Sequence, residues 1–335
     1  MKILVLVFLS LAFLLGSASP VHANGSHSSA TAKAKTKAKA KKKAKARTKA
    51  KAKTKAKART KAKARAKAAK RVRHPKAATV NRANAQLAAL RSSAVLVLDP
   101  KTQRVLYQKN ADAVMPIASL TKLMTALVVL EAKQDMKEML TVTQADVDRL
   151  KYSSSRLRVG TRLSRSSMLH LALMSSENRA ASALGRNYPG GTGKFVEAMN
   201  AKARALGMRS TRYVEPTGLS SANVSSPEDL ARLVVAVEKN PLIRRYSTDR
   251  HFTIRQAREQ TVYRNSNRLT ANRNWKIRLQ KTGYISEAGR CMVLHAVVKG
   301  RATVMVFLNS QGKLSRAADA NRVRAWLTTF HPWRR

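Results

Sequence analysis

Ser119-Leu120-Thr121-Lys122 sets a hydroxyl and an amine three residues apart. On a helix that spacing puts both on one face. A serine hydroxyl is a poor nucleophile at neutral pH and needs a base within hydrogen-bond reach. Lys122 serves only while neutral, which requires burial or a neighbouring cation to lower its pKa. Ser119 would open the helix, where the macrodipole favours developing negative charge. The spacing alone is weak, because Ser310-Gln311-Gly312-Lys313 repeats it, although its glycine breaks the helical placement. Company strengthens the first instance: Ser176-Glu177-Asn178 and then Lys281-Thr282-Gly283 follow it along the chain. A rival Ser221-Ala222-Asn223 lies in a turn-like stretch, whereas Ser176 ends an apolar helix and can face a cleft.

Other chemistries lack their residues. There is no Gly-x-Ser-x-Gly elbow, and His170, His251 and His295 stand outside any motif and read as core or surface histidines. No His-x-x-x-His pair or cysteine cluster offers metal ligands, so neither a metal nor a cofactor is expected. Cys291 is the only cysteine, which excludes an internal disulfide. Within the apolar run Cys291-Met292-Val293-Leu294 it reads as a small buried strand residue.

The elements that must position these groups are legible from periodicity. Ala94 to Asp99 and Arg104 to Gln108 are apolar, β-branched runs around the turn Pro100-Lys101-Thr102-Gln103, a hairpin. From Ser119 to about Ala132, Leu120, Leu123, Met124, Leu127 and Val128 recur at helical spacing. Helices are predicted over Met168 to Met174, Glu177 to about Arg186, Lys194 to Leu206 and Ser226 to about Val237. The last opens on Ser226-Pro227-Glu228-Asp229, with a cap, a proline and acids in the first turn. Strands at Ile277 to Lys281, Cys291 to Val298 and Thr303 to Leu308 precede a helix from about Leu314 to Phe330. Strands at both ends with helices between predict an α/β domain: one sheet assembled from distant segments, covered by helices, with a helical lobe at one side.

That domain runs from about Ala85 to the end, and at roughly 250 residues it is long enough for a large core. What precedes it differs in kind. Lys2, the short apolar run Ile3 to Leu15 and Val21-His22-Ala23 read as an export signal over residues 1–23, which predicts a protein exported to the periplasm or cell-wall space. No later segment is apolar enough for a transmembrane helix. Residues 24–84 are dominated by Lys, Ala, Arg and Thr, and Asp99 is the first acidic residue of the chain. Of the formal net charge of +50, residues 31–76 supply about +23. Like charges at every second position oppose helix formation, so a solvated basic arm is expected. It would bind polyanions by counterion release. Nucleic acid is the usual partner for such an arm, but the export signal argues against it and favours anionic envelope polymers.

The three motifs in their order resemble the penicillin-binding proteins and serine β-lactamases. Lys281-Thr282-Gly283-Tyr284 before Ala288-Gly289-Arg290-Cys291, and Glu215-Pro216-Thr217-Gly218-Leu219 before Ser225 to Ala231, look like the D-alanyl-D-alanine carboxypeptidase and endopeptidase branch of low-molecular-mass penicillin-binding proteins. The resemblance spans the whole folded part and implies a β-lactamase/transpeptidase-like fold, a five-stranded antiparallel sheet covered by helices. It also implies that Ser119 attacks the carbonyl, Lys122 takes its proton and Ser176 relays a proton to the leaving amine. Asn178 would hold the substrate amide, Lys281 and Thr282 the substrate carboxylate, and Gly283 would let the strand lie close to the peptide. The backbone N–H groups of Ser119 and Tyr284 would form the oxyanion hole. Peptidoglycan peptide stems are the implied substrate, and β-lactam antibiotics the implied covalent inhibitors. The middle motif reads Ser-Glu-Asn where Ser-Asp-Asn or Ser-Gly-Asn is commoner, a departure at its least constrained position. A β-lactamase would need a glutamate followed four residues on by asparagine, and four residues after Glu215 stands Leu219. Carboxypeptidase and endopeptidase share this chemistry; the chain's finish one helix after the last strand favours the endopeptidase. An inactive peptidase fold that binds envelope polyanions is the reading of another class, and the intact Ser119, Lys122, Ser176 and Lys281 speak against it.

Overall fold

In chain order the elements are β1 (Ser92–Asp99), β2 (Arg104–Lys109), β3 (Met115–Pro116), a 3-10 turn (Ala118–Thr121), α1 (Lys122–Glu131), β4 (Met139–Thr141), β5 (Arg162–Ser164), α2 (Arg165–Met174), α3 (Asn178–Arg186), α4 (Gly191–Ala205), β6 (Val224–Ser225), α5 (Pro227–Val237), α6 (Pro241–Thr248), β7 (His251–Gln256), β8 (Glu259–Arg264), β9 (Lys276–Ile285), β10 (Gly289–Val298), β11 (Arg301–Ser310) and α7 (Ser315–Phe330). The computed structural model describes residues 85–256, 259–330 and 332. The expected export signal and basic arm lie outside the described residues. Among those described, no helix is long and apolar enough to cross a membrane.

Five strands form the central sheet in the order β2-β1-β11-β10-β9, and every neighbouring pair is antiparallel. Alternation along β1 explains why its apolar run is unbroken. Leu96 and Leu98 pack in the cluster that holds Leu123, Leu230 and Leu233, while Val95 and Val97 pack with Val323, Trp326 and Leu327 of α7. A strand covered on both faces has no solvated side to fill with polar residues. The predicted α/β architecture is therefore the observed one, with α7 on one face of the sheet and the helical lobe on the other.

A buried carboxylate ties the ends together. Asp319 on α7 accepts from the Ser92 backbone N–H at 2.8 Å, the Ser92 hydroxyl at 2.7 Å and the Arg91 N–H at 3.1 Å. It also accepts from Ser310 Oγ at 3.3 Å and Arg322 Nη1 at 3.0 Å. A buried carboxylate held by so many donors needs no other compensation.

Two local expectations are corrected. β9 continues to Ile285 instead of stopping at Lys281, because Gly283 and Tyr284 stay in register with Cys291 and Arg290 of β10. Ser119 does not open an α-helix: it lies in the 3-10 turn, and α1 begins only at Lys122. The β7–β8 hairpin was not legible in the sequence, since its strands carry arginines and glutamines among few apolar residues.

Candidate active site

The turn that carries Ser119 is held between two glycines. Ala118, just before Ser119, has φ +48. Gly218 comes so close that a Cβ there would lie 2.0 Å from the Ala118 carbonyl oxygen, and its own φ is +82. Gly283 packs from β9, where a Cβ would meet Ala118 Cβ, the Ile117 carbonyl and Ser119 N, each at 3.0 Å. Only residues without a side chain permit this approach. β9 is the edge of the sheet, so its outer side faces this turn. Beneath it, Asn223 donates to Thr121 Oγ1 at 3.1 Å and to the Glu215 carbonyl at 2.9 Å, and its own carbonyl accepts from the Ile117 N–H. The asparagine of the rival Ser-x-Asn is thus a buried support for the turn.

Lys122 begins α1 with its side chain fully buried. Its Nζ lies 2.8 Å from Ser119 Oγ, 2.7 Å from Asn178 Oδ1 and 2.6 Å from the Thr217 carbonyl. Burial lowers its pKa to about 8, against the opposing pull of Glu215, Glu177 and Asp148. A free amine is thereby available next to the hydroxyl near neutral pH.

The second pair mirrors the first. α2 ends at Met174, and Ser176 follows with φ +66, a left-handed conformation uncommon for serine. That turn brings Ser176 Oγ to 2.8 Å from Lys281 Nζ, which also donates to the Thr282 carbonyl at 2.8 Å. Lys281 is buried, and burial together with Lys122 and Arg316 holds its pKa well below the ordinary lysine value. Asn178 is the first residue of α3 and joins the pairs to the lobe: its Oδ1 accepts from Lys122 and its Nδ2 donates to Ser153 Oγ at 2.9 Å. Glu177 takes a hydrogen bond from Ser155 Oγ at 2.5 Å. Its carboxylate thus holds the neighbouring loop.

Above the lysines opens a cavity of about 480 Å³ whose walls include Ser119, Ser176, Asn178, Thr282, Tyr284 and Arg316. All eight residues singled out in the sequence therefore meet here, with Lys122 and Lys281 as its buried floor. Thr282 Oγ1 donates to Ser266 Oγ at 2.8 Å. Tyr284 stands exposed at the rim with the Arg290 guanidinium 4.5 Å over its ring.

Two residues at the site carried no sequence signal. Arg316, at the second position of α7, donates to the Gly283 carbonyl at 2.7 Å and the Cys291 carbonyl at 3.3 Å. Burial, with Arg290 beside it, lowers its pKa to about 10, and it puts a cation on the wall beside Thr282. Ser153 lies in a loop and no motif contains it. By contrast Ser310 of the repeated Ser-x-x-Lys bonds to Asp319, in the sheet.

The rejected chemistries also have structural explanations. The Glu215 carboxylate accepts from Thr217 N at 2.6 Å, Thr217 Oγ1 at 2.5 Å, Gly218 N at 2.6 Å and Asn223 Nδ2 at 2.9 Å. It is spent on shaping the Gly218 turn. His170 is stacked between Tyr246 and Phe252, and burial pushes its pKa down to about 4. Cys291 is buried in β10, and burial pushes its thiol up to about 11, which makes it an inert core residue at neutral pH.

Comparison with known proteins agrees with this arrangement. A family model described as D-alanyl-D-alanine carboxypeptidase matches residues 78–312. The chain is 49% identical over 242 residues to a D-alanyl-D-alanine endopeptidase of Pseudomonas aeruginosa, covering 72% of this chain and 78% of the relative. It is 43% identical over 255 residues to a D-alanyl-D-alanine endopeptidase of Escherichia coli, covering 76% and 82%. The crystal structure of a Streptomyces DD-transpeptidase superposes with TM-score 0.67 at 25% identity, covering 71% of this chain and 97% of that one. With a serine on the wall of a cleft, a buried lysine beneath it and an edge strand alongside, the chain belongs to the D-alanyl-D-alanine carboxypeptidase family of serine peptidases, among the low-molecular-mass penicillin-binding proteins.

Proposed function

We propose that this protein is a D,D-endopeptidase that opens D-alanyl-diaminopimelate cross-links of peptidoglycan through an acyl-enzyme on Ser119. The observation that carries the reading is the buried Lys122 amine, 2.8 Å from Ser119 Oγ and with its pKa at about 8. Neutral Lys122 takes the hydroxyl proton as Ser119 Oγ attacks the D-alanyl carbonyl carbon. The oxyanion forms against the backbone N–H groups of Ser119 and Tyr284, a device whose donors are typically worth about 10²–10³ in rate each. As the C–N bond breaks, Ser176 passes a proton to the leaving amine and is resupplied by Lys281 at 2.8 Å. Water then cleaves the ester: it adds to the carbonyl carbon as its proton passes through Ser176 back to Lys281, and Lys122 returns the proton it took to Ser119 Oγ as the ester C–O bond breaks. Lys281, Thr282 and Arg316 receive the carboxylate beside the cut bond, Gly283 keeps the strand close to the peptide, and Asn178 holds the substrate amide. β-Lactams enter the same path and stop at the ester.

The names of the Pseudomonas and Escherichia relatives support the endopeptidase over the carboxypeptidase. Digestion of purified wall followed by fragment analysis decides between them: loss of cross-linked dimers is expected, and mere trimming of pentapeptides would make the enzyme a carboxypeptidase. Residues 1–23 serve as an export signal, which places the catalytic domain of residues 85–335 in the periplasm or cell-wall space. Residues 24–84 form a basic arm that holds the enzyme on anionic envelope polymers. Deleting residues 30–76 should abolish low-salt co-sedimentation with purified wall; unchanged binding refutes the role of the arm.

A further inference from the structure

The loop that precedes β5 carries an ordered turn at the mouth of the cleft. Asp148 accepts from the backbone N–H groups of Leu150 at 2.8 Å, Lys151 at 3.0 Å and Ser153 at 2.9 Å. One carboxylate thus fixes the whole turn, in the manner of an Asx turn extended by further bonds. At its tip Leu150 is 63% and Tyr152 84% exposed, and Tyr152 holds φ +51. Large exposed side chains on a rigid turn, one with strained backbone, are unusual away from a contact surface.

The turn is also tied to the reaction centre. Ser153 Oγ accepts from Asn178 Nδ2, and Lys151 lines the same cavity as Ser119. Leu150 lines a neighbouring cavity of about 670 Å³, and Asn178 and Leu219 belong to both. The turn therefore stands where two arms of one cleft meet.

Lys151 does not point freely into solvent. Its ammonium pairs with Glu287 on the turn between β9 and β10, across the cavity from the lobe. The other carboxylate oxygen of Glu287 accepts from Ser286 Oγ at 2.7 Å, and Ser286 lines the cavity too. Hydrogen bonds from Lys151 and Ser286 pull the Glu287 carboxyl down to about 2, so it is ionised throughout the neutral range. The pair is a strap joining the two walls of the cleft. With side chains 30% and 40% exposed it is a weak strap, since exposed pairs shift an equilibrium by at most about fivefold.

We propose that Lys151 is a specificity-determining residue, on which a carboxylate of an acidic peptide stem displaces Glu287 as the substrate enters between the turn and the edge strand. The proposal rests on the peptidase reading above. It exchanges one carboxylate for another on the same ammonium, and the displaced Glu287 carboxylate, 40% exposed and still bonded by Ser286 Oγ, is left to solvent. A neutral ligand gains nothing by opening the strap. The preference for acidic stems is then a difference between partners competing for one cation.

The test uses the full chain and two synthetic cross-linked peptides joined by a D-alanyl-diaminopimelate bond, one with a side-chain carboxylate on the residue preceding the D-alanine of that bond, the other with the corresponding amide. The expected wild-type result is a kcat/KM about two- to fivefold higher for the acidic peptide, carried by KM and lost at high salt. Lys151→Met should bring the ratio to one, Lys151→Glu should invert it, and Glu287→Gln should enlarge it by freeing the lysine. Stoichiometric labelling by a fluorescent penicillin shows that each variant is folded with an intact site. If the wild type fails to hydrolyse either peptide, the peptidase reading falls, and this inference with it. If hydrolysis occurs but the wild-type ratio is one, or Lys151→Met keeps the preference, or Glu287→Gln leaves it unchanged, the assignment of Lys151 alone is wrong.

Discussion

Replacing Lys122 by arginine keeps a cation one turn from Ser119 but removes any means of shedding it near neutral pH. The native lysine is lowered from 10.5 to about 8, with burial the dominant cause. At pH 7 roughly one molecule in ten then carries the free amine, against roughly one in three thousand for an unperturbed lysine. The net depression thus raises the concentration of the free amine about 300-fold. Acylation by a fluorescent penicillin, followed as a time course between pH 6 and 9.5, should climb about tenfold per pH unit and level off above about 8. Lys122→Arg should be slower by at least about a hundredfold at every pH. A rate that is flat from pH 6 to 8, or an arginine variant within tenfold of the wild type, would refute Lys122 as the base. The same depression has a signature in stability. Between about 8 and 10.5 the unfolded chain holds a proton that the folded chain has released, so the contribution of this group to stability rises with pH through that window. The melting temperature of the wild type should therefore gain on that of Lys122→Met as pH climbs from 8 to 10, and a constant gap would count against the depressed pKa.

Other consequences are as direct. Gly218→Ala sets a Cβ 2.0 Å from the Ala118 carbonyl oxygen, so the nucleophile turn must move by about 1 Å, and penicillin acylation should fall about a hundredfold; near-normal labelling kinetics would show that the turn tolerates the shift. Arg316→Gln removes a cation from the carboxylate end of the cleft and should raise the half-saturating benzylpenicillin concentration about tenfold, the worth of one charge-assisted hydrogen bond. An unchanged value would take Arg316 out of ligand capture. Asp319→Ala strips the acceptor from Ser92, Arg91 and Ser310. The expected cost is about 3 kcal/mol, or about 6–12 °C in Tm for a domain of this size, and calorimetry showing a drop under about 2 °C would mean the clamp is replaceable.

Residue types and their order along the chain were enough to determine the chemistry of this protein. A hydroxyl and an amine three residues apart, a second hydroxyl and a second amine far along the chain, and unbroken apolar runs at both ends pointed to a serine–lysine site on a helix-covered sheet, and the resemblance of the three motifs to the penicillin-binding proteins supplied the peptidase. These are legible because each is a local pattern, and burial on both faces leaves the strands no polar alternation to hide them. Tertiary structure alone decided how the parts work. A left-handed Ser176 aims its hydroxyl at Lys281, and Arg316 arrives from the last helix with no motif to announce it. Asp148 shapes a turn whose lysine reaches across the cleft to Glu287. The Lys122 amine has its lowered pKa only because the chain closes over it, with residues some sixty and a hundred positions away supplying its acceptors. A pKa is set by dielectric and by charges within a few ångströms, and those neighbours are chosen by folding, so no reading of the chain in one dimension contains them.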